Sequence, residues 1–187
     1  MNKWLEQIEQ LKRYLYIDEN DLLREKCTNK NLLNSLIETG EKILWEYNGE
    51  DRNEVMGTLG NLYRIKGDLQ MALPCLERYK NDCLQNGSDE QAILSLLRYA
   101  EALKYNRQYQ DALALFEEAL ERGSLLGINT YENIAWQQLG KCYVEMGFMK
   151  QAESCFLKTL LLRKQLGNEQ LLEATEQALT FIMHIKK

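Results

Sequence analysis

Apolar residues in this chain fall three and four positions apart over long stretches, the spacing that lays one buried stripe along an α-helix. Ile134, Leu139, Cys142, Tyr143 and Met146 make one such stripe, and Gly147 ends it. Asn129, followed three residues later by Glu132, reads as its starting cap. A second helix is predicted from about Met149 to Gln165, with Ala152, Cys155, Phe156, Thr159 and Leu160 inward, before Leu166-Gly167-Asn168 breaks it. The preceding stretch has the same grammar. Ser88 with Gln91 gives a capping-box pattern, the first helix reaches about Tyr105, Asn106-Arg107 turns the chain, and Tyr109 to Leu125 supplies the partner. Before that, a pair runs from Asn53 through Gly67 to Gln85, closed by Asn86-Gly87. Pro74 lies early in its helix, where a modest bend is expected instead of a break.

These pairs are in phase at a shift of forty residues: Gly60, Ala100 and Gly140; Tyr63, Leu103 and Tyr143; Ala72, Ala112 and Ala152; Leu76, Phe116 and Phe156; Gly87, Gly127 and Gly167. Small residues alternating with large apolar ones at fixed phase are what two helices need when each pair also stacks on the next. The pattern therefore predicts an all-α solenoid of antiparallel helix pairs forming a single helical-repeat domain over 1–187. Its repeats fall at 53–92, 93–132 and 133–168, followed by a C-terminal helix at 169–187. Residues 1–52 depart from the register, since the shift puts Asn20 against Gly60 and Tyr47 against Gly87. Trp4, Ile8, Leu11 and Leu15 form one stripe there and Leu32, Leu33, Leu36, Ile37, Leu44 and Tyr47 another. A degenerate helical pair joined by Asp18 to Asn29 is the expectation.

Charge narrows the partners. The net charge is -5, and Lys and Arg are not gathered into a run that tracks a phosphate backbone, so nucleic acid is not expected. No stretch approaches the roughly 20 apolar residues of a membrane span, and Met-Asn-Lys-Trp-Leu-Glu lacks a signal peptide's apolar core, which predicts a cytoplasmic protein away from membranes. Cys27, Cys75, Cys83, Cys142 and Cys155 form no Cys-x-x-Cys pair, so they read as reduced structural thiols and neither metal nor cofactor is expected. His184 is the one histidine and has no nucleophile or carboxylate spaced to work with it, so no catalysis is expected.

The run Trp136-x-x-Leu139-Gly140-x-x-Tyr143, with Gly147, Ala152 and Phe156, resembles a tetratricopeptide repeat, and the two earlier repeats match with substitutions such as Arg107 for the glycine seen at Gly67 and Gly147. The forty-residue period and the Leu-Gly-Asn loop resemble the extended subtype of kinesin light chains and bacterial peptide-sensing regulators, in which a Pro placed like Pro74, two after Ala72, is familiar. The resemblance implies a right-handed solenoid whose concave side, lined by the first helix of each repeat, binds protein or peptide. In that phase the exposed inner positions are expected to be Asn61, Arg64 and Ile65, then Leu97, Glu101, Lys104 and Tyr105, then Gln137, Lys141, Val144 and Glu145. The family's carboxylate clamp is incomplete here, because Gly57 stands where its Lys is expected, one turn before Asn61.

Leu171, Ala174, Ala178, Phe181, Ile182 and Ile185 leave an apolar face on the last helix. It either folds back on the array or meets a partner or second copy, with Phe181 and Ile185 as its second candidate interface. The sequence thus predicts a non-catalytic, protein- or peptide-binding adaptor. Two other roles suit the same features: a stoichiometric inhibitor such as a toxin-neutralising immunity protein, whose complex is salt-sensitive, or a peptide-sensing regulatory subunit.

Overall fold

The computed structural model describes residues 1–128, 130–167 and 169–185, without the side chains of Glu50 and Gln170. Within these the chain forms α1 (Asn2–Leu11), β1 (Leu15–Asp18), β2 (Arg24–Cys27), α2 (Lys30–Glu46), α3 (Gly49–Lys66), α4 (Leu69–Asn86), α5 (Asp89–Tyr105), α6 (Tyr109–Leu126), α7 (Glu132–Glu145), α8 (Met149–Leu166) and α9 (Glu169–Ile185). From α1 to α9 each helix packs on the next, and α5 also touches both α3 and α7, so the first helices of successive pairs line one face. The architecture is an all-α, tetratricopeptide-type solenoid. No described helix is long and apolar enough to cross a membrane.

Local chemistry sets the helix ends. Ser88 Oγ accepts from Gln91 N at 3.2 Å while Gln91 Oε1 accepts from Ser88 N at 2.8 Å, completing the capping box. Asp68 and Asn29 cap α4 and α2 in the same way through their side-chain oxygens. Gly147 takes the left-handed turn after α7 at φ 81, and Arg107 makes the corresponding turn after α5 at φ 62. For a residue with a Cβ that conformation costs about 1–2 kcal/mol. The expected cap Asn129 and the loop residue Asn168 lie outside the described residues, as do 186–187 of the last segment.

The repeated small residues sit at close helix contacts. A Cβ on Gly60 would lie 2.5 Å from Leu76 Cγ, and one on Gly140 would meet the Phe156 ring. Ala72, Ala112 and Ala152 are fully buried, as are Leu76, Phe116 and Phe156. α4 runs through Pro74 without interruption.

Two features differ from the sequence expectation. Helix α3 begins at Gly49, ahead of the expected start at Asn53, because the chain leaves α2 by a turn of only a few residues, whereas α5 begins at Asp89, directly after its Ser88 cap. The N-terminal region is not a plain helical pair. Between α1 and α2 lies an antiparallel hairpin in which Leu15 pairs with Cys27 and Asp18 with Arg24.

Candidate functional site

The hairpin carries no Gly or Asn-Gly at its tip. Glu19–Asp21 make one 3₁₀ turn, Asp18 Oδ1 accepts from Asn20 N at 3.0 Å, and Lys26 Nζ holds Asp18 and Asp21 at 2.8 and 2.9 Å. Leu22 and Leu23 then both adopt left-handed backbone, φ 52 and 64. That double turn sends Leu23, with 0% of its surface exposed, into an apolar cluster with Val144, Ala152, Phe156, Ala178 and Ile182. Burying a leucine contributes roughly 1.5–3 kcal/mol, enough to offset much of the backbone strain.

Strand β2 crosses the face of α3, α5 and α7. Arg24 Nε and Nη2 donate to the two Glu145 carboxylate oxygens at 3.0 and 2.5 Å. Glu25 Oε2 accepts from Arg64 Nη2 at 2.8 Å, and the Glu25 main-chain N–H donates to Tyr105 Oη at 2.6 Å. The Tyr105 ring is a hub: the Arg24 and Arg64 guanidinium carbons and Lys104 Nζ stand 4.8, 5.0 and 5.1 Å from its centroid. Three repeat phases supply this surface: Asn61, Glu101 and Lys141; Arg64, Lys104 and Val144; Ile65, Tyr105 and Glu145.

These inner positions were expected to be exposed, and most are not. Arg64, Ile65, Leu97, Lys104, Tyr105, Gln137, Lys141 and Val144 are buried. The reason is tertiary: the hairpin lies on them, and neighbouring first helices pack close enough to enclose long side chains. Asn61 and Glu101 are half-buried, and the Glu145 side chain is enclosed beneath Arg24. Asn61 Oδ1 accepts from Arg64 Nε at 3.0 Å and Nη2 at 2.8 Å, orienting the guanidinium. Gln137 does not join this cluster. Its Oε1 instead accepts from Arg163 Nη1 and from Thr175, in a buried network where Arg163 also reaches Asn133 Oδ1 and the Leu171 carbonyl, joining α7, α8 and α9. Burial among these neutral acceptors lowers the Arg163 pKa to about 10.

Electrostatics are uneven across the face. Burial pushes the Glu101 carboxyl up, but Arg64, Lys104 and Lys141 pull it below its ordinary value. Burial opposes the charge on Lys104, whose Nζ donates to Gln138 Oε1 at 2.9 Å, and its pKa is lowered. Lys141 is 6% exposed and makes no hydrogen bond or ion pair among the described residues. Burial and then Lys104 lower its pKa to about 8. It faces a cavity of about 220 Å³ shared with Glu25, Asn61, Arg64, Arg98, Glu101 and Gln138. Arg64 Nη1, 3.1 Å from Glu101, is also without a hydrogen bond.

Helix α9 folds back on the array. Ala178 and Ile182 are buried in the Leu23 cluster and Phe181 packs against it, so Phe181 is not a free surface, whereas Ile185 is 46% exposed. Gln177 Nε2 also reaches Glu19 Oε1 of the hairpin turn at 2.8 Å. His184 is exposed. All five cysteines are free, and among the described residues no cluster of metal-ligating side chains forms.

The residues of this face that sequence reasoning missed are Leu23, Arg24 and Glu25. Periodicity had no means of finding them: each strand has only four residues, and no turn motif separates the two.

Residues 134–166 match the tetratricopeptide repeat family. No curated protein matches the chain by sequence. Among solved structures, the nearly identical TPR-like repeats of a putative kinesin light chain from Podospora anserina superpose with a TM-score of 0.65 at 15% identity, over 97% of this chain and 86% of that one. The apo form of RapI gives 0.70 at 16%, covering 98% of this chain and 62% of that one. Bacillus thuringiensis PlcR, solved with the peptide PapR7 and DNA, gives 0.68 at 16%, covering 94% and 66%. At these identities the likeness is one of fold. The chain thus has the fold of tetratricopeptide-type helical repeat proteins, with a tetratricopeptide repeat at 134–166 in α7 and α8.

Proposed function

We infer that this chain is a non-catalytic adaptor that binds protein or peptide through the face of α3, α5 and α7. One observation carries the reading. That face already holds an extended segment by a two-point ion pair, a main-chain hydrogen bond and an apolar socket, while Lys141 beside it feels Glu101 and Glu25 only at a distance and has no hydrogen-bond acceptor among the described residues. A buried cation without an acceptor is unfavourable in the free protein and becomes favourable when a ligand brings a carboxylate. PlcR, solved with a bound peptide, shares the fold. Burial pushes the Cys142 and Cys155 thiols up to about 11, which makes them poor nucleophiles at neutral pH and supports a role without catalysis. The five free thiols suit the cytoplasm.

The groove substitution of choice is Lys141→Met, since Tyr105 and Lys104 are too buried to truncate without loosening the fold. Affinity capture from the native host is run with wild type, Lys141→Met, and Met183→Ser with Ile185→Ser on the exposed edge of α9. Lys141→Met should keep its helical circular dichroism, melt no lower than wild type, and lose the partner at least about tenfold, the effect of one interface anchor. Loss confined to the α9 variant would move the site there. If that variant instead dissolves a dimer, α9 joins two copies of this chain.

A further inference from the structure

Strand β2 and the tip before it lie on the inner face as a bound peptide would, and the geometry points to the hairpin as a resident ligand that a partner of the same chemistry displaces. This rests on the inner-face reading above. Three consecutive residues each have their own receptor. Leu23 fills the socket of Val144, Phe156 and Ile182. Arg24 engages Glu145 at two points, and Glu25 takes Arg64 through its carboxylate and Tyr105 through its main-chain N–H. Read along the strand, the face recognises an apolar, a basic and an acidic residue in that order, with side-chain charge and backbone both used.

The hairpin is an incomplete occupant of that face. Lys141 and Arg64 border one cavity of about 220 Å³ beside Glu25 and Glu101; Lys141 has no hydrogen bond among the described residues, and Arg64 Nη1 has only its 3.1 Å ion pair with Glu101. Leu22 and Leu23 hold left-handed backbone to reach the socket, a conformation that leucine seldom adopts. A separate segment can seat an apolar side chain without that turn. The partner that fits is an extended protein segment with an apolar-basic-acidic run and a further carboxylate within reach of Lys141. Because the hairpin is tethered, it competes at high effective concentration, and the partner's observed affinity falls by the fraction of time the face is open.

The probe is a fluorescein-labelled peptide with the sequence of residues 21–26, Asp-Leu-Leu-Arg-Glu-Lys. Fluorescence anisotropy compares the wild-type chain with a release variant, Leu23→Ser with Arg24→Ala, in which no residue of the receptor face is changed. The release variant should bind at least tenfold tighter than wild type. Adding Glu145→Arg should abolish that binding and transfer it to a peptide whose Arg is replaced by Glu. A release variant that keeps its helical circular dichroism yet binds no tighter than wild type overturns the proposal.

Should the release variant unfold, hydrogen exchange on the wild-type chain decides. Peptide at millimolar concentration should deprotect β1 and β2 while α3 to α8 stay protected, whereas hairpin and helices exchanging in one step, unmoved by peptide, make the hairpin permanent core and sink the idea. A wild-type dimer that the peptide dissolves would make a second copy the occupant and overturn the assignment of a separate partner. If the peptide fails here but Lys141→Met still loses the native partner, the inner-face reading stands and the resident-ligand proposal alone falls.

Discussion

Lys141 separates folding from binding at a single position. Its pKa near 8 lies below the ordinary 10.5, so the unfolded chain holds the proton through a window in which the folded chain has released it. Stability therefore rises with pH between about 8 and 10.5, and the penalty of burying the charge is fully present below about 8. Lys141→Met removes this titration. Its gain over wild type in urea-derived unfolding free energy should be largest below pH 8 and shrink toward pH 10.5, and a flat difference would mean that the amine is paired. The packing residues make a second case. Ala112→Leu or Ala152→Leu adds methyl groups where no surface is exposed, at about 1–3 kcal/mol of destabilisation, while exposed Glu121→Ala should leave the melting temperature nearly unchanged. Arg107 makes a third. Its φ of 62 is one glycine adopts freely, so Arg107→Gly should raise stability by about 0.5 kcal/mol, the relief of backbone strain less glycine's entropy in the unfolded chain.

Helices α7, α8 and α9 are joined by one buried guanidinium. Arg163 donates to Asn133, Gln137, Thr175 and the Leu171 carbonyl, so Arg163→Ala leaves several buried acceptors without a donor. A loss of about 2–4 kcal/mol is expected. Amides of α9 should exchange earlier than those of α5, where no such link is cut. The hairpin is the other element whose stability is borrowed. Two four-residue strands are marginal alone. Leu23→Ala should thus cost about 2–5 kcal/mol and be felt in α8 and α9 as well as in the hairpin, which melting curves and hydrogen exchange together resolve.

Across the whole molecule, the hairpin joins parts of the array that are far apart in sequence. Glu25 binds Arg64 on α3, Arg24 binds Glu145 on α7, and Leu23 packs against Ile182 on α9. A helical-repeat array without such a link is stabilised by neighbours only and can lose its end unit separately. The wild-type chain should therefore unfold in one urea transition, and the release variant should lose protection first in α8 and α9. The helical solenoid was legible from residues such as Gly60, Gly140, Ala112 and Phe156, because close helix contacts demand small and large side chains at fixed spacing, and the same periodicity placed the helix pairs on either side of Gly67 and Gly147. It also found Arg64, Lys104, Tyr105, Lys141 and Glu145 on one face. What the sequence by itself determined was thus each contact repeated within or between adjacent helices, since helix geometry turns spacing into direction. Only the tertiary structure decided that the face is covered, because the covering segment, Leu23 to Glu25, meets Arg64, Glu145 and Ile182 across long separations that no period encodes, through two left-handed leucines whose conformation is set by the socket they fill.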